Sequence, residues 1–187
     1  GLDYLLREKF ALPQLDGHVR EGTGKAISVQ GYFTEMLDQT LDWDRAAKIR
    51  QDWGGTFVLK GVMSAGDARR AVEIGADAIM VSNHGGRQLD GSRAPFDALP
   101  EIVDAVGGQI EIICDGGVRR GTHVLKALSA GATAASGGRL YLYALAAAGE
   151  AGVERALTIL HEEIIRTMKL MGVTRLDQLG PDRLRYR

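Results

Sequence analysis

From about Asp44 the chain alternates short apolar runs with longer stretches whose apolar positions recur every three or four residues. In DWDRAAKIRQDW, Asp44 is a helix start and Ala46, Ala47, Ile49 and Trp53 are the apolar positions. TFVLKGV (56–62) is short, apolar and rich in β-branched and aromatic residues, so it predicts a buried strand. SAGDARRAVEIGA (64–76) predicts a helix with Ser64 as N-cap, Asp67 at its fourth position and Gly75 at its end. The same reading gives a strand at 77–83, a helix at 97–108 closing on Gly107 and Gly108, and a strand at 110–115. A helix at 121–132, a weak strand at 133–139 and helices at 140–149 and 152–172 complete the pattern. Residues 1–45 differ: LPQLDGHVREGTGKAISVQGY is rich in glycine and polar residues without a lasting period, and predicts a long loop or lid.

Strands alternating with helices over such short crossovers imply a parallel sheet. A weak internal repeat agrees, since DARRAVEIGADA (67–78) and HVLKALSAGATA (123–134) both end a helix in Gly-Ala and both follow a strand with a glycine-rich turn. Repeated βα units suit a (β/α)8 barrel or a doubly wound sheet. About four such units are present, so the expectation is an α/β fold amounting to the C-terminal half of a TIM (β/α)8 barrel, over residues 46–187.

Composition narrows the partners. The 187 residues are 45% hydrophobic and 25% charged, as in a soluble globular protein. A net charge of −1 provides no basic field, which argues against nucleic acid. No apolar run reaches the length of a membrane span, and charges within GLDYLLREKFAL interrupt any leader-like core. The single cysteine, Cys114, excludes an internal disulfide, fits a reducing compartment and reads as core. These features set the expected location as the cytoplasm, with peripheral attachment to the inner face of the membrane as a variant. The chain opens on Gly1 rather than methionine, which suits a processed protein or a piece of a longer one.

In a parallel α/β fold, functional residues gather where strands end. Here the strand ends carry Lys60-Gly61, then Ser82 with His84, Gly85, Gly86 and Arg87, then Asp115, Gly116, Gly117, Val118, Arg119 and Arg120, then Gly137, Gly138 and Arg139. Each end has a cation or a glycine-opened turn. Lys60 reads either as a snorkelling surface lysine or as a fixed cation beside developing negative charge. His84 can act as a general base because imidazole titrates near neutrality. Arg87, beyond two glycines, can fold back and clamp a carboxylate. The loops at 115–121 and 137–139 free backbone N–H groups for an anion, and they are the pair expected to hold a phosphate if the units are a barrel's second half. His18 and His161 read as solvated and His123 as structural. No His or Cys pair has metal-ligand spacing, so no metal is expected.

SNHGGRQLDG, LKGV, DGGVRRG and GGRLYLYALA, in this order and spacing, closely resemble the FMN-dependent α-hydroxy acid dehydrogenases and oxidases, a family that includes glycolate oxidase. The likeness runs from about Asp42 to the C-terminus, and LYALAAAGEAGVERAL and DWDRAAKIRQDWGG look most like bacterial L-lactate dehydrogenases. The resemblance implies FMN as cofactor and an (S)-2-hydroxy acid, L-lactate first, as substrate. Electrons would pass on to O2, a quinone or another carrier. It makes His84 the base at the substrate α-carbon or its hydroxyl and Arg87 the carboxylate clamp. Lys60 would stand at the flavin N1/C2 carbonyl edge and Ser82 would touch the flavin. Asp115, Gly116, Gly117, Val118 and Arg119, with Gly138 and Arg139, would hold the ribityl chain and phosphate. The family's barrel has eight strands, so the remaining half, including the carboxylate that orients the histidine and a second substrate arginine, is a required partner. Homo-oligomers are expected. The rivals are an FMN-dependent isomerase and a half-barrel that binds FMN or phosphate without catalysis, and the 187 residues alone are expected to turn over substrate poorly.

Overall fold

The computed structural model describes residues 37–185. The chain divides into two compact units at Asp42–Trp43, and the second, Trp43–Arg187, holds the four-stranded sheet. The lid expected over residues 1–45 falls mostly outside the described residues, as does His18.

The elements are α1 (Trp43–Trp53), β1 (Val58–Lys60), α2 (Ala65–Glu73), β2 (Ala78–Ser82), α3 (Pro95–Val106), β3 (Glu111–Asp115), α4 (Gly121–Ser129), β4 (Ala134–Ser136) and α5 (Gly138–Met171). All strand pairs are parallel, and the order is β1-β2-β3-β4. A doubly wound sheet would reverse direction at a switch point. Here each strand is added beside the last, which is the winding of a barrel wall.

Period-two alternation divides the sheet into two unlike faces. Ile79 and Val81 of β2 pair with Ile112 and Cys114 of β3, and all four are fully buried in the core with Ala68 and Ala71 of α2, Leu99 and Ile102 of α3, and Ala127 of α4. On the opposite face Met80 pairs with Ile113 and Ser82 with Asp115, and Met80 and Ile113 stay half-exposed. The strand ends therefore project from a tightly packed helix-side layer, while the other face is only partly covered by described residues.

The internal repeat is physical. After α2 the N–H groups of Ile74, Gly75 and Ala76 donate to the carbonyls of Arg70, Val72 and Ala71; after α4 those of Ala130, Gly131 and Ala132 donate to Lys126, Leu128 and Ala127. In each repeat the next side chain returns to the preceding strand or the residue just before it, Asp77 accepting from Phe57 N–H at 2.7 Å and Thr133 Oγ1 from Ile112 N–H of β3 at 2.9 Å. Ser64 caps α2 as expected, its Oγ accepting from Asp67 N–H at 3.0 Å.

Several boundaries shift. The strand expected to be buried over 56–62 is confined to Val58–Lys60, with Val58 and Lys60 exposed, and the helix expected over 121–132 ends at Ser129. α3 begins at Pro95 rather than Asp97, because proline at the first position needs no hydrogen-bonded N–H. The weak strand expected over 133–139 shrinks to Ala134–Ser136, and Gly138 and Arg139 lie in the first turn of α5. Ser136-Gly137-Gly138 offers little side-chain surface to pair, so the strand stops early. The two expected C-terminal helices run head to tail within α5, broken at Ala148 and Gly149, where φ is −152° and 61°.

Candidate functional site

The four strand ends converge on a cavity of about 660 Å³. Ten of the eleven residues singled out from the sequence line it: Lys60, His84, Arg87, the 115–119 loop, Gly138 and Arg139. Ser82 does not; it is buried beneath the floor, and its hydroxyl is used by the protein itself. Lys60 Nζ donates to Ser82 Oγ at 3.0 Å, Ser82 donates to Asp115 Oδ2 at 2.6 Å, and the His84 N–H also reaches Ser82 Oγ at 3.2 Å. Lys60 and Asp115 complete the triangle as an ion pair at 3.6 Å. One hydroxyl thus sets the position of the cation and of the histidine backbone together.

His84 follows β2 in a single 3-10 turn with φ 56°, the one positive-φ non-glycine residue among those described. Side chains avoid this region, so neighbours must hold it there. Asn83 does part of this, its Oδ1 accepting from Gly85 N–H at 3.1 Å while its Nδ2 donates to Arg93 O at 3.2 Å. The imidazole lies over Gly61, just past the end of the neighbouring strand β1: a Cβ on Gly61 would stand 2.9 Å from His84 Cε1. His84 and Lys60 are therefore side by side at the same mouth.

The remaining wall is glycine-opened. Built Cβ atoms on Gly117 and Gly138 would meet nothing within 4 Å, so their backbones face open space. The 115–119 loop is fastened from behind by His123, whose Nδ1 accepts from Arg119 N–H at 3.3 Å and lies 3.1 Å from Gly117 O. Four cations, Lys60, Arg87, Arg119 and Arg139, line the cavity against one carboxylate, Asp115, and among the described residues none of the three arginines has a carboxylate partner. Such a cavity is built for an anionic occupant.

Cys114 is buried inside β3, and its thiol is pushed up to about 11 by burial and by the neighbouring Asp115 charge. A thiol held in that form is not a nucleophile. His161 is exposed on α5. Among the described residues no three His, Cys, Asp or Glu side chains come together to hold a metal ion.

The sequence profile of the FMN-dependent dehydrogenases matches residues 3–186. The chain belongs to this family. Similar curated proteins include an L-lactate dehydrogenase of Alcaligenes faecalis, 43% identical over 171 residues, covering 90% of this chain and 45% of that protein. An L-lactate oxidase of Nostoc sp. is 48% identical over 148 residues, covering 79% of this chain and 40% of that protein. The flavin-binding domain of baker's yeast flavocytochrome b2 superposes with a TM-score of 0.76 at 43% identity, covering 78% of this chain and 38% of that one. A mandelate oxidase structure with 3,3-difluoro-2-hydroxy-3-phenylpropionic acid gives 0.71 at 44%, covering 75% and 44%. The chain thus spans less than half the length of these relatives, in keeping with half of a barrel. In this chain of the FMN-dependent dehydrogenase family the four βα units form one parallel sheet with a cavity at its strand ends.

Sequence reasoning missed Asn83, the packing of the His84 ring on Gly61 and the fastening role of His123. Asn83 carried a signal, since Asn two residues before a glycine is an Asx-turn pattern. Gly61 and His123 carried none, because their partners lie on other segments.

Proposed function

We propose that the protein to which these βα units belong oxidises a 2-hydroxy acid, L-lactate first, to the 2-keto acid with FMN as cofactor. The observation that carries this is a base, a free guanidinium and a fixed ammonium, His84, Arg87 and Lys60, on one cavity with two glycine-opened loops. FMN fits the residues present: a phosphate suits the open backbones at Gly117 and Gly138 beside Arg119 and Arg139, and Lys60 suits a ring that gains negative charge. Bound there, FMN supplies acceptance of two electrons.

The chain's own residues divide the work. Arg87 binds the substrate carboxylate in fork geometry, which fixes the α-carbon relative to His84. His84 takes the proton from the α-hydroxyl or the α-carbon, and the 2-hydroxy acid leaves as the 2-keto acid after losing two electrons and two protons. Lys60, held by Ser82 and Asp115, stabilises the charge that develops beside it. The relatives support the substrate class: two are named for L-lactate, and a flavocytochrome b2 mutant structure holds pyruvate. The carboxylate clamp beside a base favours oxidation over the isomerase alternative.

The test is anaerobic mixing of the chain, FMN and L-lactate, with the chain co-expressed beside the first half of a lactate-oxidising relative. Bleaching of the flavin's visible absorbance, abolished in His84→Asn and Arg87→Met, is expected. FMN binding with no bleaching by any 2-hydroxy acid would leave a flavin-binding half-barrel and overturn the proposal.

A further inference from the structure

The turn that carries His84 is held from inside and from outside. Inside, His84 N–H reaches Ser82 Oγ, Gly85 N–H reaches Asn83 Oδ1 and Gly86 N–H reaches Asn83 O. These bonds hold three successive left-handed residues, His84, Gly85 and Gly86, at φ 56°, 69° and 75°. Outside, one contact arrives from 54 residues away: Arg139 Nη2 donates to Gly85 O at 2.8 Å.

That contact is tight. A Cβ on Gly85 would stand 2.7 Å from Arg139 Nη2, so the guanidinium lies directly against the backbone that follows the histidine. Glycine at position 85 is therefore required twice, by its φ and by the approach of Arg139. Arginine carries five N–H donors in a rigid fork, and this contact uses one nitrogen. Arg139 also lines the cavity in the first turn of α5, beside the open backbone of Gly138. One guanidinium thus touches both the turn that aims the base and the wall that suits an anion.

We propose that Arg139 is a positioning residue for His84: it fixes the turn through the Gly85 carbonyl and transmits anion occupancy of the cavity to the base. In the free protein Arg139 shares the cavity with Arg87 and Arg119, which have no carboxylate partner among the described residues, and like charges repel. An anion between them removes that repulsion and tightens the hold on Gly85. The inference rests on the proposed anion site, and the substrate base is then best ordered when the cofactor phosphate is in place.

Amide hydrogen exchange on the full 187-residue chain tests it, with Arg139→Lys and Arg139→Gln, each free, with inorganic phosphate and with FMN. In the free protein both variants are expected to speed exchange at Gly85 and Gly86 by about tenfold, the scale of one charge-assisted hydrogen bond, and to leave Ile112–Cys114 unchanged. Phosphate and FMN should slow the Gly85 and Gly86 amides in the wild type and not in Arg139→Lys, although the lysine still attracts the anion. The His84 imidazole resonances, followed by NMR at fixed pH, should move with phosphate in the wild type only. Equal exchange at Gly85 in wild type and variants would overturn the positioning role. Loss of protection across the sheet in both variants would overturn it too, because a residue acting on this turn does not hold β3. Failure of phosphate and FMN to bind would refute the transmission and the proposed cofactor site, while the free-protein comparison still decides the contact to Gly85.

Discussion

Replacing Gly61 with alanine puts a methyl group where the His84 ring already lies. The new Cβ would stand 2.9 Å from His84 Cε1. Carbon atoms pack at about 3.5–4.0 Å, so the ring has to withdraw by roughly 0.6 Å or more. Gly61 also has φ 95°, and a side chain in the left-handed region costs about 1–2 kcal/mol. For a chain of this size that backbone cost lowers the melting temperature by about 2–8 °C. A control separates the two effects. Gly75 has φ 75° but its Cβ would meet nothing within 4 Å, so Gly75→Ala carries the strain without the clash. Thermal melts should show similar losses for both variants, whereas NMR of the His84 imidazole should change in Gly61→Ala alone, together with weaker FMN binding in a fluorescence titration. An unmoved His84 signal in Gly61→Ala, or an equal change in Gly75→Ala, would refute the packing of the ring on Gly61.

Two further outcomes concern groups outside the cavity. Glu163 of α5 accepts from Gly121 N–H at 2.8 Å and pairs with Arg120 at 2.6 Å, and these contacts, the backbone hydrogen bond first, hold its carboxyl below the usual range. A depressed folded-state value gives stability that is present above the unfolded value of about 4.3 and is lost as pH falls through the folded one. Glu163→Gln should therefore be less stable than wild type in urea at neutral pH, with the gap closing below about pH 4, and a gap that ignores pH would contradict the assignment. Cys114, buried with its thiol pushed up to about 11, should resist a thiol reagent at neutral pH and react only in denaturant, so rapid labelling of the native chain would show that β3 is less protected than described.

The strand ends were legible because parallel βα winding makes the residue after each apolar run predictable in place. Lys60, His84 and Asp115 could be put at one mouth with no contact known. Burial was less legible: Ser82 alternates correctly toward the open face, yet its hydroxyl is consumed by Lys60, Asp115 and the His84 N–H rather than offered to a ligand. The start of α5 at Gly138 was hidden because glycine and serine carry no period. The link from Arg139 to Gly85 was hidden for a different reason: it joins segments 54 residues apart, and nothing in either segment names the other.

The two faces and two edges of the sheet bear on what the site still needs. A parallel sheet is normally covered on both faces, but here helices pack on one, and Met80 and Ile113 on the other remain half-exposed. β2 is nearly fully buried, whereas Val58 and Lys60 of β1 and Ala134 of β4 are exposed, and among the described residues neither edge strand has a second neighbour. An open edge leaves backbone N–H and C=O groups to solvent, and closing the sheet into a barrel is one way to remove it. The cations of the cavity thus line one wall of a mouth whose opposite wall would come from further strands. Hydrogen exchange on the chain alone should therefore find β1 and β4 amides far less protected than those of β2 and β3. Co-expression with the first half of a relative should protect β1 and β4 and raise lactate turnover together. Edge strands as protected as the centre in the chain alone, or full turnover without the first half, would mean that the four units close their own site.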